Sequence, residues 1–183
     1  MALPSTIYRF SLELSDIDRQ VYESLQATVA RHPSETEERL VVRLLAYALF
    51  YEPELAFTKG ICVGDEPDLW SKGPDGRLRL WLEVGLPEPE RLLKASRHSE
   101  RVALVAYGNS LPAWEREHLP KFAGLRNLTL ISIDRTFIDQ LVSRLDRTIR
   151  WSVTRTEGSL YLAVAGETLE THLQVKVGEG KTT

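Results

Sequence analysis

Two carboxylates, Asp68 and Glu83, flank a segment built to reverse the chain, and that makes them potential partners in chemistry. They lie in Asp65-Glu66-Pro67-Asp68-Leu69-Trp70 and in Leu78-Arg79-Leu80-Trp81-Leu82-Glu83-Val84, with Lys72-Gly73-Pro74-Asp75-Gly76 between them. Proline presets φ and glycine supplies positive φ, so this linker is strong turn chemistry. A turn centred between Pro74 and Asp75 sets residue 68 opposite 81 and residue 66 opposite 83. Glu83 then becomes the diagonal neighbour of Asp68 on the same face, roughly 7–8 Å away at Cα. Carboxylates that close can share one hard divalent cation. The second strand agrees, since Leu78, Leu80, Leu82 and Val84 share one parity while Arg79, Trp81 and Glu83 share the other. The competing reading leaves Glu83 on a solvated sheet face.

The elements that must position this hairpin read as a central α/β block between β-rich ends. Ile7 to Leu14 alternates as a strand, Ser15-Asp16-Ile17-Asp18 turns, and Tyr22 to Ala30 fits strand or helix, with strand preferred. Asp16 and Asp18 invite a metal reading, but a turn or cap accounts for them. Ser34-Glu35-Thr36-Glu37 forms a capping box ahead of a helix predicted to reach Tyr51. Its buried stripe is Leu40, Val41, Leu44, Leu45 and Ala48, with Glu38 at the stripe's edge in the first turn, where the helix dipole favours an acid. After the hairpin, Pro87-Glu88-Pro89 starts a short helix. Arg101–Tyr107 and Leu128–Asp134 read as buried parallel strands, and Pro112–His118 and Thr136–Leu145 as helices. Alternation returns in 149–154, 160–165 and 169–177, which predicts an antiparallel meander ahead of a frayed tail.

The fold class is therefore α/β (α+β), with a mixed central sheet and flanking helices in a single domain over 1–183. The core occupies about 34–146, with β-rich extensions over about 5–30 and 148–177. Hydrophobic residues make up 43% and charged residues 27%, the balance of a soluble globular chain. A net charge of −3 argues against a tight non-specific nucleic-acid coat, which needs clustered cations. Cys62 is the only cysteine, which excludes an internal disulfide. No secretory leader or apolar spanning run is present, so a cytoplasmic location is expected. His32, His98, His118 and His172 lack paired ligand spacing, and Ser110 lacks the second glycine of a nucleophile elbow. The echo of a phosphate loop in Gly178-Glu179-Gly180-Lys181 has no helix to follow it.

What survives resembles a known pattern. A helix bearing an acid, then a hairpin carrying Pro67-Asp68 and Glu83, then a helix and a strand resembles the PD-(D/E)XK nuclease fold. More closely, the chain resembles the YaeQ family of small bacterial proteins. The segments carrying this are Arg31-His32-Pro33-Ser34-Glu35-Thr36 with Glu38-Arg39, Phe57-Thr58-Lys59-Gly60, Asp65-Glu66-Pro67, Leu80-Trp81-Leu82-Glu83-Val84-Gly85-Leu86-Pro87 and Lys94-Ala95. The resemblance implies a restriction-endonuclease-like core more firmly than it implies nuclease activity. It assigns Asp68 and Glu83 as Mg²⁺ ligands, and Glu38 as the acid of the first helix.

The nuclease pattern also calls for lysine two residues after Glu83, where this chain has Gly85. In a phosphodiester hydrolase that lysine helps to activate water or neutralises charge on the phosphate. Lys94, on the following helix, is the substitute the resemblance implies, since Gly85 leaves room for a long side chain arriving from elsewhere. The alternative is that Glu90, Arg91, Lys94, Arg97 and His98 form a solvated face; with Arg101 they are also the best basic strip for a phosphate backbone. Two functions stay open: a Mg²⁺-dependent nuclease, or a catalytically silent nuclease-like module that binds nucleic acid (DNA or RNA) or a protein partner.

Overall fold

In the computed structural model, which describes residues 3–59 and 64–178, the chain falls into two compact units, and each is taken by itself. Cys62 and the tail beyond Gly178 lie outside the described residues. The first unit comprises Met1–Leu49 and Asp134–Leu173, and the second Phe50–Ile133 and Gln174–Thr183.

The first unit is a five-stranded sheet with two helices. Strands β1 (Thr6–Asp16) and β2 (Val21–Arg31) form an antiparallel hairpin, which resolves the ambiguous 22–30 segment as strand. β2 is the sheet edge and only Val29 on it is buried, which is why its periodicity was weak. The C-terminal strands β8 (Thr148–Thr156), β9 (Ser159–Val164) and β10 (Glu167–His172) form the predicted meander, and β8 also joins β1 in parallel. The register sets Phe10 against Ile149 and Leu12 against Trp151, and the Phe10 and Trp151 rings meet edge to face at 5.3 Å.

Helix α1 spans Glu37–Leu49. Its cap is Thr36, whose hydroxyl accepts from the Arg39 N–H at 3.1 Å, whereas Ser34 bonds His32 instead. The helix stops two residues short of Tyr51, and every residue from Leu40 to Leu49 is buried, Arg43 included. Arg43 tolerates burial because Nε and Nη2 donate to the two oxygens of Glu35 at 2.7 and 2.8 Å. Helix α4 (Arg135–Val142), capped by Asp134, contributes Phe137, Ile138 and Leu141 to the same core.

Asp16 and Asp18 are structural within this unit. Asp16 is fully buried and accepts from Arg19 Nε at 2.6 Å, and Asp18 takes the backbone N–H groups of Glu157 and Gly158 at the β8–β9 turn. Burial alone would raise the Asp18 pKa, but those two N–H groups and Arg155 outweigh it and hold the carboxyl below its ordinary value.

The second unit is a mixed six-stranded sheet. β5 (Leu78–Val84), β6 (Ser99–Ala106) and β7 (Leu128–Ser132) run parallel, linked by α2 (Pro89–His98) and by α3 (Leu111–His118) with the short 3₁₀ turn after it. β4 (Leu69–Lys72) and β3 (Ala56–Phe57) continue the sheet antiparallel on one side. Leu92 and Ala95 of α2 and Trp114 of α3 pack on Val102, Leu104, Leu128 and Leu130 of the sheet. The stretch expected as one final strand over 169–177 is divided: after β10 the buried Leu173 intervenes, and β11 (Gln174–Val177) pairs with β7 in the other sheet.

Candidate functional site at the Asp68–Glu83 strand pair

The β4–β5 hairpin turns through a loop one residue longer than the sequence suggested. Gly73 and Arg77 close a three-residue loop, Pro74-Asp75-Gly76, with Gly76 at φ +81°. Beyond it the register slips between Ser71 and Lys72, which leaves Arg79 as an extra residue on β5. Trp70 therefore faces Trp81 and Leu69 faces Leu82, a two-residue shift from the expected pairing. An even shift preserves parity within the ladder, but Asp68 precedes β4 and its side chain is placed by its own hydrogen bonds. The ladder's last pair is Leu69↔Leu82, and Asp68 lies one residue outside β4. The backbone fixes this end of the strand: the Asp68 N–H donates to the Leu82 carbonyl and its own carbonyl accepts from the Thr58 N–H, both at 3.1 Å.

Both acids are buried, with Asp68 4% and Glu83 5% exposed. Asp68 Oδ2 accepts the Val84 N–H at 2.9 Å. Glu83 Oε1 accepts the Trp81 indole N–H at 2.7 Å and Arg91 Nε at 2.5 Å. Burial pushes the Glu83 carboxyl above its ordinary value and the Asp68 charge adds to that, while Trp81 and Arg91 oppose it without cancelling it. The site thus concentrates two acids where negative charge is poorly solvated. The solvated-face alternative for Glu83 does not hold.

Arg91 is the residue that sequence reasoning missed. Besides Glu83, its guanidinium donates to the carbonyls of Gly64 and Glu66, each at 2.5 Å, and its charge lies 5.7 Å from the centre of the Trp81 ring. The sequence alone did not single it out, because only the fold shows Trp81 and Glu83 aligned with Val102 and Leu104 on the face that α2 covers. A cation in the first turn of that helix was positioned to meet them.

Lys94 is exposed, one turn further along α2. It lines a pocket of about 280 Å³ together with Trp81, Arg91 and His98. Among the described residues it forms no ion pair. Glu38 belongs to the first unit, half-buried in the first turn of α1. Among the described residues no three acidic, histidine or cysteine side chains converge into a metal cage. Arg101 of the expected basic strip is engaged by Glu52.

Gly85 ends β5 with φ +99°. The strand parity that placed it beside Glu83 therefore stops at Val84, and an L side chain at this position is strained. A Cβ there would meet only Tyr107 Cε1 at 4.0 Å, so backbone conformation, not crowding, selects glycine. The missing lysine has a backbone cause.

No helix of the described residues is long and apolar enough to cross a membrane. Comparison with known proteins places this architecture. The model of the family described as YaeQ protein matches residues 1–173. A Salmonella typhi protein named uncharacterized protein YaeQ is 37% identical over 94% of this chain and 96% of its own length, and its Escherichia coli counterpart is 34% identical over the same shares. The crystal structure of YaeQ protein from Pseudomonas syringae superposes with a TM-score of 0.92 at 44% identity, covering 97% of this chain and 99% of that one. That from Xanthomonas axonopodis pv. citri gives 0.92 at 34% identity, over 95% and 99%. The four helices and two mixed sheets of the described residues match those structures, and the chain belongs to the YaeQ family.

Proposed function

We propose that this chain is a Mg²⁺-dependent phosphodiesterase acting on nucleic acid, built on a PD-(D/E)XK-type, restriction-endonuclease-like core, with Asp68 and Glu83 as the metal ligands. The observation that carries the reading is the burial of two carboxylates near enough for the Asp68 charge to act on Glu83, which is held above its ordinary pKa. A buried Glu83 whose ionisation is disfavoured by burial and by the Asp68 charge is relieved by a divalent cation. Their oxygen-only donor set suits Mg²⁺, which uses one or two protein carboxylates and completes its shell with water and substrate phosphate. When bound, the metal supplies Lewis acidity to the phosphate and lowers the pKa of an attacking water.

The chain's own residues orient and balance the site. The Val84 N–H and the Trp81 indole each fix one oxygen of a carboxylate, so the pair presents a set geometry. Arg91 offsets part of their charge and, being always protonated, acts electrostatically and not as a base. Lys94 supplies the charge of the missing lysine to the phosphate.

A second reading is a catalytically silent module that binds nucleic acid or a protein partner. It is favoured by the direct Arg91–Glu83 ion pair and by the positive φ at Gly85, which disfavours a lysine there. Titration with Mg²⁺ and Mn²⁺, combined with cleavage assays on DNA and RNA, separates the two. The phosphodiesterase reading expects metal binding and cleavage that Glu83→Gln abolishes, and a Lys94→Ala variant that binds metal but does not cleave. Wild-type protein that cleaves nothing under any divalent metal, and binds Mg²⁺ no better than Glu83→Gln, sinks it in favour of the silent module.

A further inference from the structure

We propose that the pocket beside the acidic pair receives a single unpaired nucleobase, so that the ligand of this site is nucleic acid with unstacked bases. The inference rests on nucleic acid being the ligand, as read above, but not on its cleavage. At about 280 Å³ the pocket lies at the small end of ligand sites, enough for one base and too small for a base pair in a stack.

Trp81 and Ala95 give it apolar walls. The indole is anchored twice, by its N–H on Glu83 Oε1 at 2.7 Å and by Arg91 near its ring. A rigid aromatic plane that touches a buried carboxylate is a stacking platform whose base is held next to the acidic pair. Stacking on such a plane tolerates every base, because each has a π-face.

The charges around the mouth set the orientation. Arg91, Lys94 and His98 fall on one stripe of α2. Arg91 is already committed to Glu83, Gly64 and Glu66, whereas Lys94 and His98 are exposed and available to a phosphate. Asp65, also in the lining, repels phosphate and accepts from an exocyclic amine. The arrangement fits base inward and phosphate outward. A duplex must first be unstacked to offer the same group, at a cost of a few kcal/mol.

Fluorescence anisotropy in EDTA tests this without cleavage, using short labelled DNA and RNA strands, the corresponding duplexes, and strands carrying abasic positions. Single strands should bind more tightly than duplexes or abasic strands, and the DNA and RNA arms show which sugar is preferred. Trp81→Ala should weaken single-strand binding by about 5- to 150-fold, the range for loss of one stacked base, while Trp81→Phe keeps most of it. His98→Glu, a surface change, should also weaken it and decides the matter if Trp81→Ala fails to fold. Equal binding of duplex or abasic strand, or indifference to both Trp81→Ala and His98→Glu, overturns the base pocket. Trp81-dependent single-strand binding by a protein that cleaves nothing keeps the pocket and sinks the phosphodiesterase. Metal-dependent cleavage of duplex without any Trp81 dependence does the reverse.

Discussion

Restoring the absent lysine by Gly85→Lys should damage the fold without creating an enzyme. Position 85 sits at φ +99°, a conformation that costs an L residue about 1–2 kcal/mol. The nearest neighbour to a Cβ there is Tyr107 Cε1 at 4.0 Å, ordinary van der Waals contact, so no steric penalty adds to the conformational one. Gly85→Ala and Gly85→Lys should therefore lose similar amounts, and Gly85→Asn less, since Asn accepts positive φ more readily. For a chain of this size each kcal/mol moves Tm by about 2–4 °C, so Ala and Lys should each lower it by about 2–8 °C. Thermal unfolding followed by circular dichroism measures the series. Unchanged midpoints for both variants would refute the backbone explanation. A lysine variant far worse than alanine would point to crowding instead. Because strand parity ends at Val84, Gly85→Lys should bring no gain in cleavage under Mg²⁺.

Other perturbations read the same physics elsewhere. Glu83 binds a proton more readily folded than unfolded, so its contribution to stability falls as pH rises above the ordinary glutamate value of 4.5. Urea titrations across that range should show the slope, and Glu83→Gln should flatten it while leaving the fold intact. Asp18 runs the other way: its stabilisation is present above 3.8 and lost as pH falls below that value, and Asp18→Ala should cost about 1 kcal/mol in urea unfolding and remove this acid dependence. Arg43→Met, which strands the buried Glu35 carboxylate beside only Arg39, should cost about 3–5 kcal/mol, and pairing it with Glu35→Leu should recover a large part of that loss. Arg91→Ala leaves Glu83 without its ion pair, and the apparent pKa of Glu83, followed by NMR titration, should rise further.

Most elements were legible because their signals are local. Two buried parallel strands and the turn residues announce themselves in short windows, as 101–107 did for β6, whereas the cap of α1 fell on Thr36 and not Ser34. What escaped the sequence was non-local or one residue wide. The bulge at Arg79 and the three-residue loop moved the hairpin register by two, and no composition cue fixes a bulge. Asp68, one residue outside β4, is placed by hydrogen bonds and not by strand parity. The parallel joining of β1 to β8 needs contacts between distant segments, as does the transfer of β11 to the other sheet. At the site, the two acids could be paired from the sequence, but Arg91 could not be told from Lys94. The two cations lie three apart on one helix face, and only the packing of α2 over Trp81 decides which one meets Glu83.

The parallel β1–β8 joint also sets an order of events during synthesis. Arg9 pairs with Thr148, so β1 leaves the ribosome roughly 140 residues before its neighbour exists, a wait of roughly 7–28 s at bacterial elongation rates. Over that interval Phe10, Leu12 and Leu14 have only the β2 hairpin and α1 to shelter them, while segment 50–133 is already complete and able to order its own sheet. A nascent chain stalled between 133 and 148 would present a second unit still lacking its edge strand β11, tethered to an apolar, one-sided hairpin. That is the species on which a chaperone would act, and on which a protease would find unprotected chain.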